Sequence, residues 1–221
     1  MRRLSNRYLK VVRGLGLFIL ILSIGWLGYR DLVAGGTVKG ILTGKPCAPP
    51  CWQGITPDTV VERRQVLHRV RRLPSTWHVD EHGHEHGRSI RWLWRSWPGY
   101  NFIDFMEDSN VVYNISLAVD FDLKVEEIIA EYGPPEGVVV VGPVIPEVAY
   151  STAILHYPSQ GFYCSVKVYP DYEPVLKPSS VVYDVNYFEP YVSYEAWLGD
   201  YEGVTPKPWS GYGELEVQDL E

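Results

Sequence analysis

The sequence predicts an α+β protein: a single N-terminal transmembrane helix followed by two tandem helix-plus-antiparallel-sheet repeats. Three observations lead there. An uncharged apolar run, GLGLFILILSIGWLGY, fills residues 14–29. Further along, a helix signal followed by strand-like runs occurs twice, each unit spanning roughly 70 residues. The 17 Pro, 20 Gly and 16 Tyr, against 2 Met in 221 residues, favour strands and turns over long helices. Apolar residues at 46% and charged residues at 21% also exclude a mainly disordered chain and a multi-span membrane protein.

Residues 1–30 are expected to form a cytoplasmic basic tip and the anchor. Sixteen helical residues rise about 24 Å, a little short of the hydrocarbon core of a bilayer. Flanking arginines can snorkel, and Trp26 and Tyr29 can sit at the interface. Arg2, Arg3, Arg7, Lys10 and Arg13 precede the run and only Arg30 follows closely, which keeps the N-terminus cytoplasmic and exports the rest. A cleaved signal peptide and a buried soluble helix are the competing readings of the same run. A lipoprotein anchor does not fit, because Cys47 follows Gly44-Lys45-Pro46 far from the apolar run.

Residues 31–46 read as a Gly-containing linker. The first α+β repeat is expected over residues 47–121. Thr56 is its helix N-cap candidate, with Pro57 at the first helical position. Val60, Val61, Leu67, Val70 and Leu73 supply a helical stripe that Pro74 ends. A polar His-rich loop follows, then strands over 89–97, 101–107 and 111–121. In the last, Val111, Tyr113, Ile115, Leu117, Val119 and Phe121 are expected on one face. The second repeat, over residues 122–190, opens with Asp122 as N-cap and a helix carrying Leu123, Ile128 and Ile129. Gly133-Pro134-Pro135 stops that helix. Strands follow over 138–141, 149–157, 161–169 and 181–188. A short helix on a small sheet is marginal alone, so joining or packing the two units would enlarge the core. Residues 191–221 form an aromatic and acidic tail.

The segment Cys47-Ala48-Pro49-Pro50-Cys51-Trp52-Gln53-Gly54-Ile55-Thr56-Pro57 resembles the opening of a group of bacterial membrane-anchored or lipid-anchored proteins of unknown function. The helix closed by Gly133-Pro134-Pro135 is similar to the repeat unit of the SmpA/OmlA and beta-lactamase-inhibitor-like superfamily. This resemblance covers about residues 47–190. It implies a short helix or helical hairpin against an antiparallel sheet, sometimes twice in tandem, in proteins that bind other proteins or stabilise envelope assemblies. It supplies no catalytic motif. The chain departs from the pattern at Leu73-Pro74, where the first helix ends without Gly, and in its long His-rich loop.

Charge narrows the partners. Residues 1–30 carry 6 basic residues and no acid, residues 31–96 carry 10 basic and 6 acidic, and residues 97–221 carry 4 basic and 21 acidic. A field that negative disfavours nucleic-acid phosphates over most of the surface. The cysteines agree with export: Cys47 and Cys51 are spaced for a disulfide, with a zinc half-site as the alternative, and Cys164 reads as a buried thiol or a third bridging candidate.

Two features carry candidate chemistry. His78, His82, His84 and His86 lie within nine residues, with Asp80, Glu81 and Glu85 among them. Neutral imidazole suits zinc, copper and nickel, so a transition metal is the only cofactor the sequence offers, although the spacing matches no structural zinc pattern. The segment 91–97, RWLWRSW, combines arginine with tryptophan as interaction hot spots do. On a strand, Ile90, Trp92 and Trp94 share the face toward the helix, and Arg91 and Arg95 the other. Extending that alternation gives a partner-binding face of Arg91, Arg95, Asn114, Ser116, Lys167, Tyr169, Asp184 and Asn186. No G-x-S-x-G, H-E-x-x-H, P-loop or G-x-G-x-x-G occurs. The expected role is therefore non-enzymatic: a membrane-anchored, extracytoplasmic protein-binding or accessory subunit. The alternatives are metal binding or delivery through the His-rich loop, and an envelope hydrolase using an unrecognised carboxylate pair.

Overall fold

A computed structural model describes residues 47–73, 76–84, 87–94, 99–106, 109–119, 122–141, 151–168, 175–189 and 205–215. All of these fall in one unit, Val38–Glu221. The chain enters through the Cys47–Cys51 disulfide, with the two Cα atoms 5.6 Å apart. The backbone then reverses at Gln53-Gly54, both at positive φ, where Trp52 and Ile55 exchange backbone hydrogen bonds of 2.8 Å. That turn buries Trp52 and Ile55.

The helix expected with Thr56 as N-cap starts six residues later, with Glu62 at that position. Asp58 N–H donates to the Val112 carbonyl and Val61 N–H to that of Asn110. These bonds hold β1 (Thr59–Val60) against β5 (Val111–Ala118). Backbone donors committed to a sheet cannot start a helix, so α1 spans Arg63–Arg71. It buries Val66 and Val70 and exposes arginines.

The His-rich segment expected as a loop is instead β2 (Thr76–His84), hairpinned to β3 (Gly87–Trp94). β4 (Tyr100–Met106) and β5 follow in antiparallel order. Ile90, Trp92 and Trp94 are buried, as the alternation requires. In β5 the alternation slips. The register moves from Asp104↔Asn114 to Phe105↔Val112, leaving one extra β5 residue. Val112 and Ile115 therefore both point inward, and Tyr113 is exposed.

Helix α2 (Val125–Tyr132) begins at Lys124 rather than Asp122, because Lys124 N–H donates to the Glu127 carboxylate at 2.9 Å. Gly133, at φ 80°, closes it. Next come β6 (Gly137–Val141), β7 (Ser151–Tyr157), a 3-10 turn (Pro158–Gln160), β8 (Phe162–Val168), β9 (Val175–Leu176), β10 (Val182–Tyr187) and β11 (Gly213–Glu214).

The order β2-β3-β4-β5-β10-β8-β7-β6 corrects the expected architecture. The described chain is not two tandem helix-plus-antiparallel-sheet repeats. It is one continuous, predominantly antiparallel sheet, and the joint is the β5–β10 pairing, Asp184↔Ala118 through Tyr187↔Ile115. The physical reason is area: helices of 9 and 8 residues cannot cover two separate small cores, whereas one long sheet lets them share one. The expected fold is corrected in a further respect: its transmembrane helix has no counterpart among the described residues. No helix among the described residues is long and apolar enough to cross a membrane; α1 and α2 rise only about 14 and 12 Å. The run at 14–29, on which the anchor was expected, lies outside the described residues.

The core lies between the helices and one sheet face. At the α1 end, Trp52 stacks on Trp92 at 5.3 Å and Trp94 meets Trp92 edge-on. At the α2 end, Tyr132, Tyr157 and Tyr187 surround Phe162. Cys164 is a free thiol buried in that core, and burial pushes its pKa well up. It is packing, not a reactive group.

Candidate protein-binding face

The sheet's second face, turned away from the helices, is built by register. One row crosses all eight strands: Asp80, Arg91, Phe102, Ser116, Asn186, Tyr163, His156 and Gly137. A second row holds His82, Ser89, Asp104 and Asn114. Pleating places every other residue on this side, so Arg91, Asn114, Ser116, Lys167, Asp184 and Asn186 come together here. Arg95, Tyr169 and His86 lie outside the described residues, and the side chain of His84 is not described.

The middle of this face is closed. Ser116, Ser165 and Asn186 are 5%, 5% and 3% exposed, so they do not form a free contact surface. Their polar groups are used locally. Asn186 Nδ2 donates to Asp184 Oδ1 at 2.6 Å, and the Ser165 hydroxyl also bonds the Asp184 carboxylate. Burial nevertheless wins over these two bonds and raises the Asp184 pKa from 3.8 to about 6. In the second row, Ser89 Oγ donates to Asp104 Oδ1, and Asn114 Nδ2 donates to Oδ2 at 3.2 Å. The ring of His156 stacks on Phe188 at 5.6 Å. Burial lowers its pKa to about 4, with the Glu136 charge opposing. Lys167 Nζ lies 5.2 Å from the Tyr183 ring centre.

The end of the face nearest β2 is open. Tyr100 is 60% exposed, and the Arg91 guanidinium lies 5.9 Å from its ring centre. Arg91 also reaches Asp80 at 3.4 Å, while its Nε has no hydrogen-bond partner among the described residues. Sequence alternation located Arg91 but missed Tyr100, Asp80 and Asp104, because only strand pairing shows which residues become neighbours. The Pro98-Gly99 break before Tyr100 was the available sign that a new strand starts there.

Asp104 and Asp184 flank β5 on opposite sides and are offset by four β5 residues. Strand geometry puts them about 16 Å apart, too far to serve as the acid pair of a glycosidase. Glu62 and Glu81 do line one shallow cleft, with Arg63, Arg64 and Arg88. Glu81 is ion-paired there with both Arg88 and Arg63, at 3.6 and 4.0 Å. For metal binding, no group of three or more His, Cys, Asp or Glu among the described residues converges on one point. His78 and His82 are four residues apart on one strand, hence about 13 Å. No protein family, curated protein or solved structure compared with the chain matches it.

Proposed function

We propose that the chain is a non-enzymatic protein-binding or accessory subunit that works outside the cytoplasm and grips its partner with the open end of the sheet face. The observation that carries this reading is the exposed Tyr100 ring held against Arg91 beside a closed polar sheet. Arginine and tyrosine dominate binding hot spots because they combine large contact area with directional donors. The half-buried Leu93 and Phe102 extend the same apolar patch. The neighbouring middle of the face is closed and tied by internal hydrogen bonds, which holds the strands beneath the open end in place, so little ordering opposes binding. The compartment is supported by the Cys47–Cys51 disulfide, a bond that persists in oxidising surroundings.

The test is a double substitution, Arg91→Ala with Tyr100→Ala, in the full chain purified in mild detergent. A copurifying protein should be lost while the thermal transition shifts little. If that protein stays bound to the double variant and is lost instead on removal of residues 191–221, the proposed face is wrong.

A further inference from the structure

The sheet has two ends, and the chain treats them differently. Outside β6, Val138 N–H donates to the Lys207 carbonyl at 2.8 Å, and Lys207 N–H donates back at 2.9 Å. That edge is covered by the protein's own residues. β2 ends the other side of the strand order and pairs only with β3 among the described residues. It is nine residues long, Trp77 is 72% exposed, and His78, Glu81, His82 and Gly83 are exposed as well. A long open strand is a template for a second strand.

The order of residues on β2 says which strand fits. Trp77-His78-Val79-Asp80-Glu81-His82-Gly83 places a histidine two residues either side of Asp80. Three residues out stand a tryptophan on one side and a glycine on the other. Two such strands run antiparallel about Asp80 bring each His78 opposite the other copy's His82. That run is regular: β2 pairs with β3 residue for residue from His78 to His84, and its one irregularity, at Trp77, lies outside it. Directly opposed residues on an antiparallel pair have Cβ atoms about 5 Å apart, a spacing from which two imidazoles can ligate one ion. Nothing lies within 4 Å of where a Cβ on Gly83 would stand, so that end of the strand is open to a second one. Asp80 would face its own copy, and like charges opposed across strands repel. A divalent ion at each flanking histidine pair offsets that repulsion.

We propose that β2 is a metal-dependent self-association edge. Two copies pair antiparallel about Asp80 and hold two divalent transition-metal ions, each between His78 of one copy and His82 of the other. The histidines that stand too far apart to share an ion within one chain thereby share one between chains. This stands independently of the Arg91–Tyr100 reading, and the readouts differ.

The experiment is sedimentation of the full chain in mild detergent, with EDTA or with zinc chloride as the probe. The expected result is monomer in EDTA and dimer in zinc, with one zinc per chain. His78→Ala and His82→Ala should each weaken zinc-dependent association at least tenfold. Mixed together, the two variants should regain it, because their heterodimer restores one complete histidine pair. Asp80→Cys should cross-link between copies under mild oxidation far faster than Val79→Cys, whose opposite number is residue 81. The proposal is overturned if zinc leaves the mass unchanged or binds the monomer stoichiometrically. It is also overturned if the mixed variants stay monomeric, or if the zinc dimer forms without preferential cross-linking at position 80.

Discussion

Replacing Asp184 with Asn should make the protein more stable at neutral pH, and the gain should vanish in acid. The carboxyl is enclosed between Ser165 and Asn186, and its pKa is raised from 3.8 to about 6. Between those two values the folded protein holds a proton that the unfolded chain has released. Stability therefore falls as pH rises from about 4 to 6, and the penalty is complete at pH 7. The shift is equivalent to about 3 kcal/mol; the residue keeps partial solvent contact, which trims the expected gain to about 2 kcal/mol. Asparagine keeps an oxygen for the Asn186 donor, so little bonding is lost. His156 works in the opposite sense. Its folded pKa of about 4 lies below its ordinary 6.5, so stability falls by about 3 kcal/mol as pH drops through that window. In the wild type these two slopes nearly cancel between pH 4 and 6. In Asp184→Asn the His156 slope is left uncompensated. Equilibrium urea unfolding followed by tryptophan fluorescence, at half-unit steps from pH 4 to 7.5, reads the difference between variant and wild type. A difference that does not change with pH, or a variant less stable at pH 7.5, would refute the account of a desolvated carboxyl.

Other perturbations have equally definite outcomes. Gly137→Ala places a Cβ 2.9 Å from the Pro206 Cβ, which should cost about 1–3 kcal/mol and speed amide exchange at Val138 and Lys207. Trp92→Ala removes a fully buried ring that stacks on Trp52; the expected loss is about 3–5 kcal/mol, with collapse of the near-ultraviolet circular dichroism of the tryptophans. Serine at Cys47 and Cys51 should lower stability by about 2 kcal/mol for so small a loop. Reductant should lower the wild type by the same amount and leave the serine variant unaffected, since Cys164 is buried and unpaired.

What was legible in the sequence followed local physics. The alternation Ile90-Arg91-Trp92-Leu93-Trp94, the Gly133 stop and the Cys47–Cys51 pair each depend on residues within a few positions of one another. What failed depended on partners distant in sequence. The helix signal at Thr56-Pro57 was overridden because Asp58 and Val61 bond to Val112 and Asn110, about fifty positions away. The polar stretch 76–84 looked like a loop, yet β3 pairs with it along its length, with one register shift at Trp77. Alternation put Ser116 and Asn186 on the correct face, but the sequence offered no sign that this part of the face is buried. Two repeats became one sheet because the pairing of β10 with β5 is a choice between open edges, which propensity does not express.

That choice has a consequence for how the molecule is made. The strand that seals the middle of the sheet is among the last to emerge, since β5 ends at Ala118 and β10 at Tyr187. At ordinary synthesis speeds the interval is about 3–14 s. Throughout it, the first half of the protein carries a bare hydrogen-bonding margin next to Ile115 and Leu117, with nothing yet available to zip onto it. β6, β7 and β8 can assemble meanwhile, but they remain an orphan ribbon until β10 stitches the halves together. A stop codon between β8 and residue 182 should thus leave a chain with two unsealed sheets, not one smaller, well-behaved domain.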